Sequence, residues 1–157
     1  MNALSVISLC ISIITLSLTL LRDFKNGKRE KSNALIKFLD QGDSPEMKKL
    51  RGDIYRHAAD FKDTEFQRKI TDLFNDNARP NNLYSDLETS ITKVISFYDK
   101  WALLYNQGYL PKWAFDGARK TVLLGICDKV MFYIDFRKAQ GNEDYAKDLL
   151  TVYYKIK

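Results

Sequence analysis

Residues 3–21 read ALSVISLCISIITLSLTLL. The stretch is nineteen residues long, carries no charge, and contains eleven Leu, Ile or Val alongside six Ser or Thr. As a helix it spans about 28 Å, close to the roughly 30 Å hydrocarbon core of a bilayer. With about −0.4 kcal/mol for each of the eleven, insertion is favoured by on the order of 4 kcal/mol, less what the hydroxyl residues cost. The sequence therefore predicts a single transmembrane helix over residues 1–21. A cleaved signal peptide needs a basic segment before the apolar core and an A-x-A-like triplet after it. Here only the terminal amine precedes the stretch, which runs out as Leu20-Leu21-Arg22-Asp23, so it reads as an uncleaved anchor.

Orientation follows from the flank. Arg22, Lys25, Lys28, Arg29 and Lys31 crowd the segment 22–31, and nothing matches them on the other side. Basic residues stay on the cytoplasmic side of a membrane, which puts the N-terminus outside and the body, residues 32–157, inside the cell at its inner membrane. These five positions are the expected contacts with anionic lipid headgroups. They also account for much of the net charge of +5, so the basic balance does not itself point to nucleic acid. Within the anchor, Ser5, Ser8, Ser12, Thr15 and Thr19 fall along one stripe, a pattern that lets helices approach and self-associate.

The chain has 157 residues, two Cys and one His. All the charges follow residue 21, and the rest is about one-third charged and roughly 42% apolar, an ordinary globular mixture. Disorder and a disulfide-stapled scaffold are excluded. The scarcity of His and Cys leaves little for a triad, a zinc site or a redox pair, and no glycine-rich phosphate loop occurs. No catalytic residue, cofactor or metal ligand is expected.

From Ser32 onward the apolar spacing is helical throughout, so the body is predicted to be all-α, a bundle of about five helices. A short helix over 33–41 stops at Gly42. Ser44-Pro45-Glu46 opens the next, with an N-cap, a proline at the first helical position and an acid in the first turn; it buries Met47, Leu50, Ile54, Ala58 and Phe61. Thr64-Glu65-Phe66-Gln67 has the form of a capping box, and so does Ser85-Asp86-Leu87-Glu88. Between them, 75–82 is the expected loop. Two long helices, 85–107 and 111–140, are expected to form an antiparallel hairpin, with Gly108 as a left-handed stop and breaks considered at Gly117 and Gly125. A last helix follows Gly141-Asn142 and buries Tyr145, Leu149, Val152, Tyr153 and Ile156.

Several residues raise functional questions. His57, alone of its kind, reads as a partly buried or surface histidine rather than a ligand. Asp99, Asp116, Asp128 and Asp135 would need to face one cleft to do acid–base chemistry. The aromatic run Phe97, Tyr98, Trp101, Tyr105, Tyr109, Trp113 and Phe115 reads mainly as core, with Trp113 the exposed exception; Tyr109 and Trp113 are the candidate partner-binding residues.

Phe97-Tyr98-Asp99, Gly108, Asp135-Phe136-Arg137, Tyr145 and Leu149-Leu150 together make the stretch from Leu87 to Lys157 similar to a known family. It resembles bacterial and phage proteins catalogued only as a domain of unknown function, many with an N-terminal anchor before a helical body. The resemblance implies an anchored α-helical body and brings no reaction. It also suggests an Asp99–Arg137 ion pair across the hairpin.

The functional expectation is a membrane-anchored cytoplasmic interaction module that binds a protein partner through a helical face, in its narrower version one that interferes between phage and host. The alternative is a membrane-tethered nucleic-acid binder using Lys48, Lys49, Arg51 and Arg56 as a phosphate-contacting patch.

Overall fold

The computed structural model describes residues 3–73 and 83–157 and, within the first helix, the side chains of 16–19, 22, 23 and 25 onward. Their only regular elements are helices: α1 (Ala3–Gly42), α2 (Pro45–Arg56), α3 (Thr64–Asp72), α4 (Leu83–Asn106), α5 (Ala118–Ala139) and α6 (Lys147–Ile156), with 3₁₀ turns at Asp60–Lys62 and Lys112–Phe115. The expected loop at 75–82 lies outside the described residues.

The expected anchor, the segment 22–31 and the first body helix are one continuous helix of 40 residues, about 60 Å long. A charge run changes which face is wet but does not stop a helix. Extending an existing helix needs no new nucleus, and its one glycine here, Gly27, costs only about 1 kcal/mol. From Arg22 to Asn33 the described side chains other than Gly27 are exposed, so about 18 Å of α1 stands clear of the body. Docking begins at Ala34 and Leu35, and Phe38 is the wedge. Its ring lies 5.2 Å from Phe115, 5.4 Å from Trp101 and 6.0 Å from Phe97. Burying such a ring contributes about 1.5–3 kcal/mol.

Local capping sets most of the remaining boundaries. Ser44 Oγ accepts from the Met47 N–H at 3.2 Å, starting α2 where expected. α2 ends at Arg56, however, and Phe61 reaches the core from the 3₁₀ turn instead. Asp63, not Thr64, caps α3, its carboxylate taking the Glu65 N–H at 2.9 Å. An aspartate one residue upstream outcompetes the threonine, and Gln67 turns back to the Phe61 carbonyl. α4 begins at Leu83, so Ser85 lies inside it. Gly108 adopts φ 75° and ends α4 as expected. The predicted helix from Pro111 is in fact a 3₁₀ turn, broken from α5 by Gly117 at φ 59°, whereas Gly125 lies inside an unbroken α5. Tyr145 precedes α6 and is half-buried.

The core gathers Ile54 of α2, Ile70 of α3, Ile91 of α4, Ile126 of α5 and Leu149 of α6. α4 and α5 do run antiparallel, since Glu88 at the start of one meets Tyr133 late in the other, but α4 packs most closely on α6 and α2. Glu88, only 2% exposed, accepts from Tyr133 Oη at 2.5 Å and from Thr92 Oγ1 at 3.1 Å, which satisfies a carboxylate that would otherwise be costly to bury.

Among the described residues no helix is long and apolar enough to cross a membrane. Most side chains of the expected anchor, residues 3–15, 20 and 21, lie outside those residues, including Ser5, Ser8, Ser12 and Thr15 of the hydroxyl stripe.

Candidate functional site

Three regions carry the candidate residues. The first is the free length of α1. Leu16, Ser17, Leu18 and Thr19 are all exposed, Leu16 and Leu18 each at 62%. Arg22, Lys25, Lys28, Arg29 and Lys31 follow, every one exposed.

The second is the corner between α4 and α5. Pro111, with φ −68° and ψ 155°, sets up the 3₁₀ turn, which sends Leu110, Ala114 and Phe115 inward and leaves Tyr109 (41% exposed) and Trp113 (51%) outside. Phe97, Tyr98, Trp101, Tyr105 and Phe115 pack in or against the core, as their spacing suggested.

The third lies at the foot of α1, where a cavity of about 250 Å³ opens between the last turn of α1, α2, α4 and the first turns of α5. Phe38, Leu39, Phe97 and Val122 form its apolar wall, and Arg51, Asp43 and Arg119 its charged edge. Arg51 Nη1 donates to the Tyr98 hydroxyl at 3.2 Å, and burial raises the pKa of that phenol, so it stays protonated. The Phe97 ring packs beside Gly42, where a methyl would stand in ordinary contact with it, 3.4 Å from the ring's Cζ. The sequence reading missed this cavity, because its two arginines lie on helices far apart in the chain.

Other candidates are dispersed. On α2, Lys48 and Lys49 are exposed, Arg56 pairs with Asp53 at 3.1 Å, and Arg51 turns inward to Tyr98, so the four cations do not form one stripe. His57 Nδ1 meets Asp60 Oδ2 at 2.9 Å and its ring stacks on Phe66. Among the described residues no group of three or more His, Cys, Asp or Glu is placed to hold a metal ion. The four aspartates do not converge. Asp128 accepts from Tyr153 Oη at 2.5 Å, Asp99 faces α6, and Asp116 and Asp135 sit near opposite ends of α5.

Asp99 and Arg137 do not pair with each other. Asp99 Oδ1 takes the Leu149 N–H at 2.9 Å, whereas the Arg137 guanidinium lies 4.5 Å from the centre of the Tyr145 ring and donates to Tyr133 Oη at 3.3 Å. Asp99 instead closes the open start of α6, and Arg137 lies over the Tyr145 ring. Of the residues that carried the family resemblance, Asp99 with Leu149 joins α4 to α6 and Arg137 with Tyr145 joins α5 to the segment before α6, whereas Phe97 and Tyr98 face α1 and α2.

A long helix feeding an all-α body of five further helices defines the class to which this chain's fold belongs. The chain is a member of the family described as "Domain of unknown function (DUF4760)", whose sequence model matches residues 2–156 and so takes in the apolar N-terminal stretch as well as the body. No curated protein and no solved structure matches it.

Proposed function

We propose that this protein is a single-pass, membrane-anchored interaction module of bacterial or phage origin, whose helical body is held at the cytoplasmic face of the inner membrane to bind a protein partner. The observation that carries the reading is the all-round exposure of residues 16–19 in an uninterrupted helix. Successive residues point about 100° apart. A partner helix covers one stripe, whereas a bilayer covers every face, and residues 3–21 have the length and composition to be covered that way. The basic run from Arg22 to Lys31 supports the orientation, with headgroups held at the base of a rigid stalk. The exposed pair Tyr109 and Trp113, on a turn fixed by Pro111, is the surface offered to the partner, since aromatic residues on rigid elements dominate interface energetics. Interference between phage and host at the membrane is the narrower version of this reading.

The test is crosslinking and pull-down from intact membranes with three chains: the full one, one beginning at Ser32, and the full one with Trp113→Ala. Recovery of one protein by the first two and its loss with the third places recognition at the corner. A yield unchanged by Trp113→Ala contradicts that assignment.

A further inference from the structure

We infer that the cavity at the foot of α1 is a binding site for a small, water-soluble organic anion with a flat apolar body, an aryl phosphate or aryl carboxylate in chemical class. Two guanidiniums and one carboxylate, Asp43, edge the opening. Among the described residues neither Arg51 nor Arg119 has a carboxylate within ion-pair distance, although every other arginine of α2 and α3 does. An arginine fork matches a carboxylate or phosphate in two parallel hydrogen bonds, and Arg51 is already oriented by its bond to buried Tyr98. Behind the charged edge the wall is apolar, with the Phe38 and Phe97 rings stacked 16° from parallel. A purely inorganic ion would leave that wall wet, and a purely apolar ligand would desolvate the guanidiniums without replacing water. The volume falls just below the range of about 300–1,000 Å³ typical of ligand pockets, which sets a ligand smaller than drug-sized.

A lipid headgroup does not reach this site. With the anchor in the bilayer, about 25 Å of helix separates Leu21 from Phe38. The occupant therefore comes from solution, and it touches both the end of α1 and the start of α5. Binding ties the stalk to the body, so the ligand raises the unfolding temperature of the junction.

The test uses the full chain in lipid nanodiscs with Trp113→Phe, leaving Trp101 as the only tryptophan; its ring lies 5.4 Å from Phe38 and 6.2 Å from Phe97. Phenyl phosphate and benzoate are titrated against its fluorescence, with inorganic phosphate and phenol as the two half-ligands. We expect saturable binding of at least one aryl anion with Kd below about 1 mM. Each half-ligand binds at least tenfold more weakly. Arg119→Gln, which alters an exposed side chain and leaves the helical circular dichroism unchanged, weakens the aryl anion at least tenfold as well. No saturation with either aryl anion, a half-ligand that binds as tightly, or an unaltered Kd in folded Arg119→Gln overturns the assignment.

Discussion

The carboxylate of Asp99 on α4 accepts the backbone N–H of Leu149 at 2.9 Å and so caps α6 from another helix. α6 has no cap of its own, because Ala146 at its start is left-handed, at φ 56°, and has no side-chain oxygen. This bond, with Asn106 donating to Asp148 Oδ1 at 2.9 Å, ties the start of the last helix to the longest helix of the body.

Removing that acceptor should cost what an N-cap costs. Asp99→Ala is expected to lower stability by about 1–2 kcal/mol, whereas Asp99→Asn keeps an acceptor and loses little. Burial pushes the Asp99 carboxyl above its ordinary value of 3.8, more than the Leu149 N–H pulls it down. The folded state then holds the proton more tightly than the unfolded one. The contribution is full below the ordinary value and is lost as pH rises through the raised one. Urea denaturation across that window should show the native protein losing stability relative to Asp99→Asn as pH rises, then a constant difference above it. A native protein that gains stability relative to Asp99→Asn as pH rises contradicts this.

Gly125 illustrates a residue whose reason is non-local. It sits inside α5, where alanine would gain about 1 kcal/mol, but a Cβ there would stand 2.7 Å from the Tyr55 hydroxyl oxygen. That hydroxyl approaches the Val122 carbonyl at 3.5 Å, and the Tyr55 ring lies under Lys129 Nζ at 4.7 Å. Gly125→Ala should be near neutral in the native protein and stabilising by about 1 kcal/mol once Tyr55 is Ala, a coupling read from a double-mutant cycle. Equal effects in both backgrounds would show that Tyr55 does not constrain this position.

What was legible in the sequence was local. Ser44-Pro45 predicted the start of α2 because the cap and its target are three residues apart. Gly108 and Gly141 predicted helix ends because both need positive φ. Trp113 was legible as exposed because it stands beside Lys112 at the start signalled by Pro111, although the element that begins there is a 3₁₀ turn. The misreadings came from long-range terms. Gly125 resembled a break because Tyr55, whose hydroxyl stands over it, lies on another helix. Asp99 and Arg137 looked like partners because charge was visible and the open end of α6 was not. The cavity was invisible for the same reason: Arg51 and Arg119 are neighbours only once α2 and α5 pack.

Cys127 should be inert while the protein is folded. Burial, and secondarily the charge of Asp128, pushes its thiol up to about 12. At pH 8 about one molecule in ten thousand carries the reactive thiolate, and the side chain is buried as well. With Cys10→Ser, aromatic disulfide reagents are expected to label Cys127 only at the rate of unfolding, accelerating with urea. Prompt labelling in buffer contradicts the buried placement.

Membrane integration of residues 3–21 is tested most directly by carbonate extraction of membranes from cells making the full chain and, separately, the chain beginning at Ser32. The full chain is predicted to stay in the membrane pellet and the shortened one to appear in the supernatant. Release of the full chain into the supernatant would contradict the anchored arrangement.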